Sequence, residues 1–197
     1  MSLVLALDVS ASVDFAEFAL MAGGLAAALR DPAVQGAAGG PVALAALFWS
    51  EAQEVALPWA LLRAPADWAA AADALDAAPR APRAGATATG EALVAALALL
   101  ARCPFPAARA VVDVSGDGAA NRGRPPGPVR DLGVAAGVVL NALAVGDEEP
   151  DLAAHYAREV IGGPGAFVME CASYADFGEA MRRKLLRELG GSIIALR

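Results

Sequence analysis

The sequence predicts an α/β fold with a doubly wound, mainly parallel central sheet, one antiparallel edge strand and helices on both faces. Short apolar runs typical of buried strands alternate with helical segments through short connections, which is the pattern of parallel sheets with crossover helices. A polar break at residues 50–51 separates two strand-like runs and indicates a hairpin, whose second strand is the antiparallel edge. The chain of 197 residues has no internal repeat and no long linker, so we expect a single domain spanning residues 1–197.

Apolar periodicity and breaker residues predict the elements of the first half. The opening run is apolar and ends in a polar tip, and Ser12 or Asp14 can cap the helix that follows. A loop rich in proline and arginine, residues 79–85, separates two alanine-rich helices. The predicted elements are a strand at 3–7, a helix at 13–30, strands at 42–49 and 54–57, and helices at 66–78 and 91–101.

Valine-rich runs and one amphipathic stripe predict the second half. Residues 109–115 have the β-branched character of a strand and lead into a tight loop, Gly116-Asp117-Gly118. The last helix carries Phe177, Met181 and Leu185 on one stripe. The predicted elements are a strand at 109–115, a helix to about 136, a strand at 138–145, a helix at 152–160, a strand at 166–170 and a helix at 174–189.

Composition excludes several classes of partner and segment. The net charge of −7 argues against nucleic acid as a ligand, because proteins that bind its backbone need a cationic face. The longest apolar stretch, residues 133–145, contains Asn141 and is too short for a transmembrane helix. No basic segment precedes the first strand, so we expect a native leader to be absent from this sequence. Cys103 and Cys171 lack metal-site spacing and form either one disulfide or two thiols.

Three predicted loops carry oxygen ligands at strand or helix ends. Asp8, Ser10 and Ser12 occupy alternate positions, so an extended backbone points them the same way. Thr87 precedes a helix, and Asp117 follows a strand. Carboxylates and hydroxyls without sulfur or imidazole suit Mg²⁺ or Mn²⁺; Ca²⁺ is less favoured, and zinc and copper are less suited. We therefore predict one divalent-cation site from these five residues at the carboxyl ends of the strands, where open α/β sheets bind ligands.

Each of these residues also has a purely structural interpretation. Ser12 and Thr87 can be helix N-caps, and Asp117 can be a turn residue. Thr89 competes with Thr87 for the role of ligand. The metal interpretation depends on the coincidence of three loops in the right order.

Three motifs together resemble the metal-ion-dependent adhesion site, or MIDAS, of von Willebrand factor type A (VWA) domains. They are Asp8-Val9-Ser10-Ala11-Ser12, Gly85-Ala86-Thr87 and Gly116-Asp117-Gly118. The order of elements and loops resembles that family along essentially the whole chain. The resemblance implies a Rossmann-like VWA fold in which the two serines and Thr87 contact the metal while the aspartates act through water. The commonest motif has Gly-Gly-Thr in the middle loop, so Ala86 makes this loop less flexible but leaves the threonine in place.

Three longer stretches are similar to a narrower group, an uncharacterised bacterial family of VWA-like proteins that are often exported and have no assigned activity. These stretches are residues 112–118, 160–167 and 182–188. The resemblance implies a periplasmic or exported protein, and a cytoplasmic location stays open.

Our leading functional hypothesis is a non-enzymatic module that binds a protein partner through the metal, with the partner supplying an acidic residue. One alternative is a Mg²⁺-dependent phosphohydrolase with Asp8 as nucleophile. Phosphatases of the haloacid-dehalogenase type need a second acid two positions later, where this chain has Ser10, and no nucleophile lies beside a base. The other alternative is a structural assembly protein with a vestigial metal site. The sequence carries no signal for the oligomeric state.

Other polar residues are predicted to be structural. Asp113 lies among valines in a strand, so it must be paired or hydrogen-bonded, and it either braces the neighbouring loops or is protonated. His155, the only histidine, is expected on a helix, either at the surface or half-buried. The last helix is expected to end in a basic cluster of Arg182, Arg183, Lys184 and Arg187.

Overall fold

The computed structural model describes residues 1–146, 149 and 151–190, so the last seven residues of the predicted domain lie outside the described part. The strands are β1 (Ser2–Asp8), β2 (Val42–Trp49), β3 (Gln53–Leu62), β4 (Ala110–Gly116), β5 (Val138–Val145) and β6 (Val168–Cys171). The α-helices are α1 (Phe15–Arg30), α2 (Pro32–Ala37), α3 (Pro65–Asp76), α4 (Thr89–Leu100), α5 (Pro126–Ala135), α6 (Leu152–Glu159) and α7 (Phe177–Gly190). A 3-10 turn, Tyr174–Asp176, leads into α7.

The six strands form one sheet in the order β3-β2-β1-β4-β5-β6. Every neighbouring pair is parallel except β2 and β3, which form an antiparallel hairpin at the edge. The predicted fold class is therefore confirmed. Strands β2 and β3 lie on one side of β1 and strands β4 to β6 lie on the other, so the order in which strands are added to the sheet reverses at β1. Such a switch point leaves a crevice beyond the carboxyl ends of the two strands.

Two elements differ from the prediction for local reasons. The helix α2 was not predicted, because Asp31-Pro32 also has the signature of a helix end. Here Asp31 caps a new helix, accepting from the Ala33 amide at 2.7 Å, and Pro32 occupies its first turn. The strand β3 is longer than predicted and continues through Pro58 to Leu62, because an edge strand tolerates proline.

Helices cover both faces of the sheet, and alternate residues of each buried strand point to opposite faces. Leu3, Leu5 and Leu7 of β1 belong to the core formed with α1, α2, α3 and α7. Val4 and Ala6 belong to the core formed with α4, α5 and α6. By the same alternation Asp8 points toward the second core.

The predicted basic end of the last helix is wrong for Lys184. Its side chain is fully buried, forms an ion pair with Asp113 of β4, and approaches Glu188 Oε1 to 2.9 Å. Asn141 donates to the same Glu188 oxygen at 2.8 Å. Asp113 is paired, as its burial required, but of its two alternatives the bracing of neighbouring loops is wrong, because its partner is a cation on the helix that packs over the opposite sheet face from Asp8.

Two further observations bear on the sequence predictions. Cys103 and Cys171 are both free and half-buried, which selects the thiol alternative over the disulfide. Within the described residues, no helix has the length and apolar character needed to cross a membrane.

Candidate functional site

The segment between β1 and α1 holds its polar side chains at the crevice beside the switch point. Asp8 and Ser10 are buried, and the Ser10 amide donates to Asp8 Oδ1 at 2.7 Å. Asp14, not Ser12, caps α1: its side chain accepts from the Glu17 amide at 2.8 Å, and the Asp14 amide donates to Glu17 Oε2 at 2.8 Å. The N-cap interpretation of Ser12 is therefore wrong, and its hydroxyl is left for other contacts.

Ser12 links the first loop to the third. Its hydroxyl donates to Asp117 Oδ1 at 2.8 Å and lies 3.2 Å from the hydroxyl of Ser10. Asp117 follows Gly116, the last residue of β4, and is buried. A continuous series of hydrogen bonds thus joins Asp8, through the two serines, to Asp117.

Close packing at Gly116 explains why that position has no side chain. A Cβ atom there would lie 2.6 Å from the hydroxyl of Tyr156 and 2.9 Å from Asp8 Oδ2. Tyr156 belongs to α6 and donates from its hydroxyl to the Gly118 carbonyl at 3.3 Å. The tyrosine therefore closes the crevice from the side of the second core.

The middle loop places Thr87 beside the third loop. A Cβ atom built on Gly118 would lie 3.7 Å from Thr87 Oγ1. The Thr87 amide donates to Asn121 Oδ1 at 2.9 Å, and the Asn121 amide donates to the Thr87 carbonyl at 3.0 Å. The N-cap of α4 is Ala88, so the N-cap interpretation of Thr87 is wrong. Thr89 is fully buried in the first turn of α4, and its hydroxyl has no hydrogen-bond partner.

The structure thus brings together the five residues predicted from the sequence, which we call the oxygen cluster: Asp8, Ser10, Ser12, Thr87 and Asp117. Two carboxylates within it are shielded from water. Burial, and then repulsion from Asp117, raise the pKa of Asp8 to about 8, against opposing hydrogen bonds from Ser10 and the positive charge of Arg80. Burial and the same carboxylates also raise the pKa values of Tyr156 and Tyr174.

The oxygen cluster has the donor chemistry of a hard-cation site. Asp8 Oδ2 is buried without a hydrogen-bond partner, although a buried carboxylate oxygen normally has one. A water bound to a cation would satisfy that oxygen, and the cation's charge would offset the repulsion between the two carboxylates. Within the described ranges, no group of three or more histidine, cysteine or acidic side chains is arranged to hold a metal, so the hydroxyls are essential to this candidate site.

Several residues around the oxygen cluster were missed or given lower rank by the sequence analysis. Arg80 contacts the backbone of the first loop, and Glu149 accepts from the Ala119 amide at 2.7 Å. The Asn121 side chain accepts from the Thr87 amide at 2.9 Å and so holds the backbone of Thr87. Only the loop position of Asn121, near Asp117, gave a signal for any of these contacts.

Solved structures share this fold. Proximal thread matrix protein 1 from the mussel byssus matches with a TM-score of 0.70 and 21% identity, over 94% of this chain and 45% of that one. A second structure of it, with a zinc-occupied MIDAS motif, matches at 19% identity, over 95% and 45% of the two chains, with a TM-score of 0.70. A von Willebrand factor type A protein from Catenulispora acidiphila gives 0.70 at 20% identity, over 96% and 42% of the two chains.

An aerotolerance-related membrane protein from Bacteroides fragilis NCTC 9343 matches with a TM-score of 0.60 and 16% identity, over 94% of this chain and 98% of that one. This chain therefore spans less than half of the mussel and Catenulispora chains but nearly all of the Bacteroides chain. At these identities the matches establish the fold, which is of the VWA type.

Sequence comparison gives a narrower assignment. No curated protein matches the chain significantly. One family model matches residues 1–193, and its description is "Protein of unknown function (DUF1194)". The chain thus combines a VWA-type fold with the sequence signature of that uncharacterised group, and it belongs to the DUF1194 family.

Proposed function

We propose that this chain is a non-catalytic binding module whose attachment to a protein partner depends on a divalent cation. The observation that carries the proposal is the buried pair of carboxylates, Asp8 and Asp117, linked by hydrogen bonds through the Ser10 amide and the hydroxyls of Ser10 and Ser12. Two shielded negative charges at the switch point of an α/β sheet are unfavourable unless protons or a cation compensate them.

In this proposal Ser10, Ser12 and Thr87 hold the cation directly, and Asp8 and Asp117 act behind them. The cation supplies a Lewis-acidic position that an acidic side chain of the partner can occupy. Because neither carboxylate contacts the cation directly in this arrangement, its charge is incompletely neutralised by its ligands, and one further anionic oxygen can complete the coordination. The partner is therefore expected to present Asp or Glu.

The donor set favours Mg²⁺ or Mn²⁺, because all five side chains offer oxygen and none offers sulfur or imidazole. The mussel protein of similar fold has been solved with zinc in its MIDAS motif, which supports a divalent cation in general. Zinc and Ca²⁺ therefore belong in the titrations as competitors.

The direct test is calorimetric titration of the protein with Mg²⁺, Mn²⁺, Zn²⁺ and Ca²⁺ after treatment with a chelator. We expect one site per chain for the wild type and none for Asp8→Ala, with circular dichroism showing that the variant stays folded. Asp151→Ala is the matched control, because Asp151 is exposed and its side chain forms no capping hydrogen bond. Equal Mn²⁺ affinity in wild type and Asp8→Ala would overturn the assignment.

The phosphohydrolase alternative receives less support from the geometry. Asp8 is fully buried, and one of its carboxylate oxygens accepts from the Ser10 amide, so its side chain is not exposed for attack on a phosphoester. A screen of generic phosphoesters with Mg²⁺ tests this alternative, and turnover that disappears in Asp8→Ala would establish it.

If the metal site is vestigial, a chelator should leave the binding of the partner unchanged. Affinity capture from the native organism, with and without EDTA and with Asp8→Ala as bait, separates it from the proposed function.

We also propose a periplasmic or exported location and a single-domain module. Fractionation of the native cells tests the location.

A further inference from the structure

The loop between α3 and α4 directs an arginine into the first loop of the oxygen cluster. Arg80 lies between Pro79 and Pro82 and is half-buried. Its Nη2 atom donates to the carbonyls of Val9 at 3.2 Å and Ser10 at 3.0 Å, and it also contacts the carbonyl of Val13. One guanidinium nitrogen therefore gathers three carbonyls of the segment that carries Ser10 and Ser12.

These carbonyls belong to backbone that has left β1 and has not yet entered α1. Such backbone lacks the regular partners of a strand or helix, and its buried polar groups need other donors. A planar guanidinium, whose N–H donors point in fixed directions, is better suited to holding several carbonyls than the compact, strongly hydrated ammonium of lysine. Arg80 thus determines the path of the chain between Asp8 and Asp14.

Two other contacts hold the same arrangement. The guanidinium carbon of Arg80 lies 5.2 Å from the ring centre of Phe15, a side chain that is 77% exposed. The Ala11 amide donates to the Gly85 carbonyl at 2.8 Å. The loop that ends in Thr87 is therefore attached at two points to the loop that carries the serines.

We propose that Arg80 is a positioning residue that preorganises the hydroxyls of Ser10 and Ser12 for the cation. The inference rests on the proposed function, because it assigns Arg80 a role at that same site. Arg80 does not touch the cation in this proposal. It acts through the three carbonyls and so keeps the serine hydroxyls in place before the cation arrives.

The test compares Mn²⁺ affinity by calorimetry in wild type, Arg80→Ala, Arg80→Lys and Arg83→Ala. Arg83 is the matched control, because its side chain is exposed on the same loop and only its backbone carbonyl accepts a hydrogen bond, from Ser50. We expect Arg80→Ala to weaken Mn²⁺ binding about tenfold or more, the usual effect of removing a residue that orients metal ligands. Arg80→Lys should bind more weakly than wild type, and Arg83→Ala should match it.

Two readouts separate positioning from general stabilisation. Millimolar guanidinium should restore part of the affinity of Arg80→Ala, whereas the same concentration of ammonium should not. Without metal, the amides of residues 10–13 should exchange hydrogen faster in Arg80→Ala, while those of β5 keep the wild-type rate. If Arg80→Ala does not fold, Arg80→Lys carries both the affinity and the exchange measurements.

The outcomes distinguish the two claims. Wild-type protein that binds no divalent cation overturns the proposed function and this inference together. Wild-type binding with unchanged affinity in both Arg80 variants overturns the inference alone. Reduced affinity with no rescue by guanidinium and uniformly faster exchange also overturns it, because that result indicates a general loss of stability.

Discussion

Replacing Lys184 by methionine should destabilise the protein strongly, and more so at high pH. Lys184 is the only lysine in the chain and is fully buried between Asp113 and Glu188, which are also buried. Methionine fills a similar volume but leaves two carboxylates without their shared cation. Breaking a buried ion pair by removing one partner typically costs about 3–5 kcal/mol of unfolding free energy.

The same cost can be expressed as a change in melting temperature. For a domain of this size, each kcal/mol lowers the midpoint by roughly 2–4 °C, so Lys184→Met should lower it by about 6–20 °C. Arg183→Met is the matched control, because Arg183 is exposed on the same helix. Its midpoint should stay close to that of the wild type.

The pH dependence gives the prediction its sign. Burial, followed by repulsion from Glu188, raises the pKa of Asp113 to about 7, against the attraction of Lys184. The pKa of Asp113 is therefore higher in the folded protein than in the unfolded chain. Its protonation stabilises the folded state fully below the pKa of the unfolded chain, and this stabilisation is lost as the pH rises through 7. Removing Lys184 takes away the charge that lowers the pKa of Asp113, so Asp113 in the variant is stable in its buried site only when protonated. The destabilisation should therefore be larger at about pH 8.5 than at about pH 6.

Urea denaturation of wild type and variant at both pH values measures these differences. The neutral triple variant Lys184→Met, Asp113→Asn, Glu188→Gln should recover much of the lost stability, because it removes the unpaired charges. A destabilisation by Lys184→Met below about 1 kcal/mol, or one equal at both pH values, would refute the reasoning, since it would place the three groups in contact with water.

Three further predictions concern the oxygen cluster and the packing of α1 on α7. Because the pKa of Asp8 is raised to about 8, Mn²⁺ affinity should increase with pH up to that value and then level off, and a flat calorimetric profile would contradict this. Gly116→Ala would place a Cβ atom 2.9 Å from Asp8 Oδ2, so Mn²⁺ affinity should fall about tenfold or more; unchanged affinity would show that the carboxylate moves freely. Gly24→Ala would place a Cβ atom 2.8 Å from Gly178 Cα and should lower the free energy of unfolding by about 1–3 kcal/mol. Gly23→Ala is the matched control, because the nearest atom to its Cβ would lie 3.8 Å away, and thermal melts should show it to be neutral or stabilising. Equal effects at the two glycines would contradict the close helix crossing.

Sequence reasoning could find the oxygen cluster because its residues lie at ends of elements, where local patterns are informative. Asp8 ends an apolar run, Thr87 precedes a helix, and Asp117 follows a valine-rich strand. The order of the loops, together with the rule that strand ends meet at one edge of a parallel sheet, was sufficient to place them together. The distances and the hydrogen-bond series through Ser12 came only from the structure.

Arg80 and Lys184 escaped prediction because their contacts are distant in sequence. Arg80 is separated by 71 residues from Val9, and nothing in its proline-rich surroundings indicates which backbone it meets. Lys184 was grouped with the arginines beside it, although it falls on the same helical stripe as Met181, Leu185 and Glu188. That stripe was a usable signal, since a charged residue on a buried face implies a buried partner.

The central claim is that the oxygen cluster binds a divalent cation, and anomalous diffraction from crystals soaked in Mn²⁺ tests it most directly. We expect one anomalous peak within about 2.1 Å of the hydroxyl oxygens of Ser10, Ser12 and Thr87, the distance typical of small hard cations. Crystals of Asp8→Ala soaked in the same way should lack that peak. Saturating Mn²⁺ that gives no peak at these hydroxyls in the wild type would contradict the account.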